Sequence, residues 1–590
     1  MKVRTRKSTP ASVTIALTMM RKNGLVEYID SMCTYDADQR RLTPGEVVLI
    51  LIGATMLRND RIPLYRIGDV FEHMPVSEIF GREIGIESLN DHALARGLDT
   101  LFEADRDAMM WEISERFEID MGLVARIFHI DQTKIRTYVI ESHECDSNAA
   151  TPEFGLDKEG RTDFRLYSAN SITDEHRMIR YLSPDDGNAS DPSMDSDAID
   201  FLLGVVEPKE CTVVIDSKGA NSELIAKMME ADLGFVTKCP ANFSSCLKKR
   251  LSRMVSIEGW TGSPIKAGHS FFDIDMMIDG ECLEDGSRAP KRRTRIVAFR
   301  SERMLSERRA SIARKVLSES EKKADALRKM RFDTKEDAYT YVGKVQQDLA
   351  ENAYSLIWCP FPEDVVLKRQ TVGRPRKGEH AETIRRWKVL CKPVLDEEKL
   401  DQLADLAATE LLVTNLPRLK SGERSENVRD GASSESVLEL FLDQYKQEHT
   451  FKLLKGKVGL CDVLFKKPER ENAMMFVLGL AALLRNVIDL RFRRCEGRFT
   501  TCQDMIATWI GLHVMVVNGE LEIDGPPRCE DEMLDVMRRL DLDEGMIVDS
   551  LSRPAFLSEG FWSPVPDKRV FSSSYAHFRR RCRKYNQYLR

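Results

Sequence analysis

The sequence predicts a mixed α/β protein with a helical N-terminal region, and three observations lead there. Apolar residues recur at three- and four-residue spacing through residues 11–122, in segments such as 46–56 and 88–117, where proline and glycine are sparse. Short β-favouring runs then alternate with amphipathic stretches over residues 123–240. The composition, 42% hydrophobic and 31% charged with 22 prolines, supports burial of a sizeable core and is unlike that of a disordered chain. A length of 590 residues corresponds to roughly three to four domains.

The elements follow in order. Residues 123–130 (LVARIFHI) form an apolar run that ends on Asp131, and 135–140 (IRTYVI) read as a second extended piece. Residues 165–172 and 178–182 are further strands. A loop rich in Asp, Ser, Gly and Pro fills 183–195, and an amphipathic helix follows over 195–206. A buried strand, 211–215 (CTVVI), leads to Asp216, then come a helix at 222–231 and a strand at 234–238. Three strands, a helix, a strand, a helix and a strand is the order of a ribonuclease-H-like domain, a mixed sheet flanked by helices. Residues 241–435 interrupt it with strands expected at 271–278, 295–299, 355–358 and 411–414 and a highly charged helix at 302–331. A helix over 436–455 and a strongly apolar one over 469–488 come next, and the chain from 492 onward is expected to be polar and loop-rich with a basic end. The predicted regions are 1–122 (helical), 123–240 (first part of the core), 241–435 (a large, partly β-stranded insertion), 436–491 (second part of the core) and 492–590 (polar and basic).

Charge and cysteine usage bound the function classes. With 88 Lys and Arg against 95 Asp and Glu, the net charge of −7 does not by itself advertise a polyanionic partner. Five basic clusters do raise that expectation: Lys248, Lys249, Arg250 and Arg253; Lys291, Arg292, Arg293 and Arg295; Arg374, Arg376 and Lys377; Arg491, Arg493 and Arg494; and Arg579, Arg580, Arg581, Arg583 and Lys584. The 13 cysteines include no CxxC pair and no zinc-finger spacing, so reduced, mostly buried thiols are expected, with Cys239 and Cys246 in ordinary packing. The longest apolar stretch, 473–484, is too short to span a bilayer and is followed by Arg485. The N-terminus, MKVRTRKSTPAS, lacks the apolar core of a secretory signal. No membrane association and a cytoplasmic location are expected.

Two aspartates close apolar runs, Asp131 and Asp216. In the strand order above the first and fourth strands are neighbours, so the two carboxylates would meet. A third, Glu448, lies in FLDQYKQEHTFKLLKGK, where Phe441, Gln444, Glu448, Phe451 or Lys452, and Lys455 recur on one helical face. Like charges at about 4 Å cost roughly 4 kcal/mol at an effective dielectric constant near 20, so such a trio calls for divalent cations. Hard oxygen ligands suit Mg2+, with Mn2+ able to substitute, and two ions roughly 4 Å apart suit phosphodiester chemistry.

On these residues the chain resembles the DDE transposases of bacterial and archaeal insertion sequences, in the IS-four superfamily, over most of its length. The resemblance is carried by LYRIGDVFEHM and LNDHALARGLDTLFE in the N-terminal stretch, by FHIDQTK around Asp131, by VVIDSKGANSELIAKMMEADLGFVTKCP around Asp216, and by EHTFKLLKGKVGLCDVLFKKPERENAMM around Glu448. The superfamily signature is tyrosine, two residues, arginine, three residues, glutamate, six residues, lysine. Glu448 and Lys455 match its second half, whereas Phe441 and Gln444 stand where the tyrosine and arginine belong. Glutamine at the arginine position is similar to some branches.

The resemblance implies a nucleoid-associated enzyme that binds the terminal inverted repeats of its element on double-stranded DNA, cleaves the ends to expose 3′ hydroxyls and joins them to target DNA by in-line transesterification. It implies metal held by Asp131, Asp216 and Glu448, DNA contacts from Gln444, Lys452 and Lys455, end recognition by the first 122 residues, and a homodimer in the DNA complex. GRPRKG at 373–378 resembles an AT-hook core, which would put Arg374, Arg376 and Lys377 on DNA; a proline-containing basic loop is the alternative. A ribonuclease-H-like metal-dependent DNA nuclease and a decayed transposase that only binds DNA are the competing functions. His449 and Trp260 are assigned to surface or packing roles.

Overall fold

The computed structural model describes residues 7–57, 62–137, 148–155, 162–163, 165–215, 221–239, 260–278, 292–349, 352–366, 383–444 and 467–552. The N-terminal region is helical, with α1 (Ala11–Lys22), α2 (Leu25–Met32), α3 (Pro44–Leu57), α4 (Asp91–Glu103) and α5 (Arg106–Asp120). The periodic run at 88–117 is broken because Asp105 accepts the Ala108 N–H and starts a new helix. Helix α3 is buried on every side from Pro44 to Met56. A Cβ on Gly97 would stand 2.6 Å from Val47 Cγ2, so glycine is what lets α4 approach α3 so closely.

The main sheet contains β1 (Ile127–Thr137), β2 (Arg165–Asp174), β3 (Ile179–Asp185), β4 (Thr212–Ile215), β5 (Gly234–Lys238), β6 (His269–Ile278), β7 (Arg292–Ser301) and β10 (Glu410–Thr414). Their spatial order is β3-β2-β1-β4-β5-β10-β7-β6. The pairs β3–β2 and β2–β1 are antiparallel, β1–β4 and β4–β5 parallel, and those beyond β5 antiparallel. Helices α6 (Asp191–Val205) and α7 (Ser222–Glu230) make the two crossovers into parallel strands. They cover one face, where Phe128, Ile130, Val213 and Ile215 pack on Ile199, Leu202, Leu224 and Ile225. The opposite face, with Val214, Val236, Val297 and Leu412, packs on Val437 and Leu438 of α11 (Ser434–Leu442).

Several expectations are corrected. The two extended pieces on either side of Asp131 are one strand, and Asp131 lies inside it, because β1 pairs continuously with β2 from Phe128↔Asp174 to Thr137↔Arg165. Helix α6 starts at Asp191, four residues early, since Ser190 accepts the Ser193 N–H and Pro192 suits the first turn. The expected strand at 355–358 is a 13-residue one, β8 (Tyr354–Val366), paired with β9 (Thr383–Leu395). The polar, loop-rich C-terminal stretch is ordered as α13 (Cys502–Thr508), a hairpin of β11 (His513–Val517) and β12 (Glu520–Asp524), α14 (Pro527–Arg539) and α15 (Glu544–Ser552). Met505, Trp509, Met533, Val536 and Ile547 join the same core as Ile15, Leu17 and Met20, and Thr9–Pro10 pairs with β11.

Residues 241–435 play two parts. Strands β6, β7 and β10 widen the main sheet, while α8 (Glu302–Lys329), α9 (Lys335–Asp348) and the β8–β9 hairpin enclose a core of their own around Ala324, Leu327, Val342, Leu356 and Val389, flanked by α10 (Glu397–Ala408). Helix α12 (Pro468–Arg494) is long and apolar enough to cross a bilayer, but 89% of its most apolar window is buried inside the fold.

Candidate active site

Strand β1 has β4 along one edge and β2 along the other. On one side it runs parallel to β4 with the register Ile127↔Thr212, Phe128↔Val213, His129↔Val214 and Ile130↔Ile215. On the other it is antiparallel to β2, and Asp131 stands opposite Ser171. The side chains of a strand alternate between faces, so Asp131 shares the face of Ile127, which packs with Val214, Val236 and α11. Asp131 is half-buried there. The Ser171 hydroxyl donates to the Asp131 carbonyl at 3.2 Å.

The segment after α11 reaches the same place. Gln444 Nε2 donates to the Ile130 carbonyl at 3.5 Å, at the residue preceding Asp131. Phe441 lies with its ring 5.8 Å from Lys238 Nζ at the end of β5.

On the crossover face, polar side chains tie β1 to its neighbours. The Gln132 amide donates to Asp195, a carboxylate buried on α6. Lys134 donates to the Ser168 hydroxyl and to the carbonyls of Gly187 at 3.1 Å and Ala189 at 3.4 Å; burial holds its ammonium below the usual lysine range. Arg180, 1% exposed, ties the sheet to α5: its Nε donates to Asp174 at 2.8 Å and its Nη2 to Glu118, while the guanidinium sits 5.3 Å from the Trp111 ring centroid. Burial pushes the Glu118 carboxyl above its ordinary value. None of these supports was visible in the sequence, where a lone Arg180 or Gln132 carries no spacing signal.

Of the residues singled out from sequence, Asp131 and Gln444 are described and lie together. Asp216, Glu448, Lys452, Lys455, Arg374, Arg376 and Lys377 lie outside the described residues, as do His449, Cys246 and the basic clusters at 248–253 and 579–584. Among the described residues there is no group of three or more His, Cys, Asp or Glu side chains able to hold a metal ion. Two basic clusters are largely committed to structure. Arg295 is buried and doubly bonded to Asp273 at 2.7 and 2.9 Å, Arg293 pairs with Asp275, and Arg292 donates to the Met229 carbonyl at 3.0 Å. Arg491 pairs with Asp120, and Arg494 donates to the Met121 carbonyl at 2.8 Å. Trp260 packs against Phe272 under Arg300, as expected for a core aromatic.

No curated protein matches the sequence. Residues 12–115, from α1 to the third turn of α5, match a family described as a domain of unknown function (DUF4277).

Proposed function

We propose that the protein is a DDE transposase whose catalytic domain is ribonuclease-H-like. The observation that carries this is the parallel register of Ile130 with Ile215, because the next residue in the chain after each is an aspartate, Asp131 and Asp216. The strand order β3-β2-β1-β4-β5, with helices at both crossovers, supports the fold reading. Gln444 on the Ile130 carbonyl supports the third member of the set, since Glu448 follows four positions later.

The donor set fits a hard divalent cation: one carboxylate half-buried on a rigid strand, a second predicted beside it, and a third from the segment after α11. Asp131, Asp216 and Glu448 would hold Mg2+, which when bound activates the attacking oxygen and stabilises the leaving one. The chain's own residues position these groups. Gln444 and Ser171 fix the backbone on either side of Asp131, and α11 packs on the face of the sheet that Asp131 shares. The sequence periodicity predicts Lys455 two helical turns, about 10 Å, beyond Glu448, which suits a grip on a terminal phosphate. The resulting activity is cleavage at the inverted repeats of an element and joining of the 3′ ends to target DNA, by a homodimer that pairs two ends.

The test is excision and joining from a plasmid that carries the gene with its native flanks. Purified protein and Mg2+ are expected to release a fragment bounded by inverted repeats, with 3′ hydroxyls, and to insert it into a second plasmid. Cleavage without any joined product would favour the nuclease, and specific binding without either would favour the decayed transposase.

A further inference from the structure

Helix α8 is a 28-residue rod on the outer side of the small sheet of β8 and β9. Its underside, with Ser320, Ala324 and Leu327, is buried. It is fastened along its length: Arg309 pairs with Glu397 and Asp401 of α10, Cys391 Sγ donates to the Ala324 carbonyl at 3.3 Å, and Arg328 Nε donates to the Cys391 carbonyl at 2.9 Å. Three of its cations are held in ion pairs. Arg303, Arg309 and Arg328 are neutralised by Glu307, by Glu397 and Asp401, and by Glu321 and Asp325.

A second set is not. Arg308, Lys315, Lys322 and Lys329 recur every seventh residue, so they form one row along the helix, and all four are exposed. Among the described residues no ion pair engages any of them. Lys323 stands beside the row, Ser311 and Ser318 keep its flank small, and Glu319 is the one acidic side chain within it. The row spans about 32 Å at 1.5 Å per residue, close to the axial length of nine base pairs at about 3.4 Å each. An interfacial membrane helix would present a free apolar face opposite its cations. Here that face is already spent on the protein's own core.

We propose that this face of α8 docks the phosphate backbone of double-stranded DNA without reading its sequence, through Arg308, Lys315, Lys322 and Lys329. The surface is separate from the carboxylates around Asp131 and needs no metal, so its test is independent of the catalytic reading. A transposase has to hold target DNA as well as its own ends, and a sequence-neutral surface suits the target.

The experiment is fluorescence anisotropy with a 30-base-pair duplex of arbitrary sequence in EDTA, from 50 to 300 mM KCl. The variant R308Q/K315Q/K322Q/K329Q is expected to bind at least tenfold more weakly at 100 mM, with a salt slope flatter by about two to 3.5 units, since each lost phosphate contact removes up to about 0.9. K315Q/K322Q is compared with K209Q/K420Q, which removes the same charge from exposed sites elsewhere, and all variants are checked for unchanged thermal unfolding. If K209Q/K420Q weakens binding as much as K315Q/K322Q, if the slope is unchanged, or if wild type binds no duplex at 50 mM, the proposal is overturned. It is equally overturned if the row's variants lose phosphatidylserine-vesicle binding while duplex binding is intact. Failed cleavage with intact duplex binding would count against the catalytic reading alone.

Discussion

Ile130 of β1 and Ile215 of β4 are register partners in a parallel ladder, and each immediately precedes an aspartate in the chain. Parallel neighbours in register point to the same face of a sheet, and His129 and Val214, one step earlier, are paired in the same way. The α11 core, with Val437 and Leu438 against Val214 and Val236, sits on that face. The proposed site therefore draws on a pair of parallel strands and a helix that the hydrophobic core already fixes.

Gln444 is the described residue that links the third segment to the first strand. Its bond to the Ile130 carbonyl is long, so its loss should cost about 0.5–1.5 kcal/mol, or about two- to twelvefold in rate if it holds the glutamate segment in place. Gln444→Ala is expected to slow single-turnover cleavage of end DNA by that factor with affinity for the ends unchanged. Unaltered cleavage, or a loss confined to end binding, would remove the positioning role.

Arg180 is a fully buried charge of the sheet. With Asp174 and Glu118 both bonded to it and almost no exposure, Arg180→Ala leaves two carboxylates without their cation. A destabilisation of about 3–5 kcal/mol is expected in urea unfolding. A cost below about 1 kcal/mol would mean that the pair relaxes to solvent. Replacing all three with apolar residues of similar volume is expected to recover most of the loss.

How far the sequence foretold this architecture depended on periodicity. Strand β5 and helix α7 were legible almost to the residue, because GFVTK is a β-branched run between turn signals and Asn221 caps the helix. Strand β1 was misread since Asp131, Gln132 and Lys134 look like a break, whereas continuous pairing with β2 carries the strand through them. Helix α14 was missed because charged residues dominate its composition and only Cys529, Met533, Val536 and Met537 mark its buried stripe. Asp131 was legible as a candidate through its place after RIFHI. The supports from Ser171, Asp195 and Arg180 come from distant segments, and no local pattern records a contact of that range.

Asp107, in the first turn of α5, gives the fold a pH dependence. Burial raises its carboxyl from the usual range to about 7, against the lowering effects of Arg106 and the Ser183 hydroxyl and with Asp105 adding to the rise. A carboxyl whose folded value exceeds its unfolded value of about 4 makes the folded state hold the extra proton. Stability is then greatest below about pH 4 as far as this group is concerned, and falls as pH rises from about 4 through 7. Thermal unfolding of Asp107→Asn is expected to show a smaller loss between pH 5 and pH 8 than wild type. Identical pH profiles for the two proteins would contradict the assignment.

The central claim is that Asp131, Asp216 and Glu448 act as one metal-holding set. Its most direct test is strand cleavage of end DNA in Mg2+ by Asp131→Ala, Asp216→Ala and Glu448→Ala, each measured beside binding of the same DNA. The account predicts that all three lose cleavage, in Mn2+ as in Mg2+, while end binding stays within about twofold of wild type, because removing one ligand spoils the geometry of the whole site without touching the duplex contacts. Wild-type cleavage by any one of the three would contradict it.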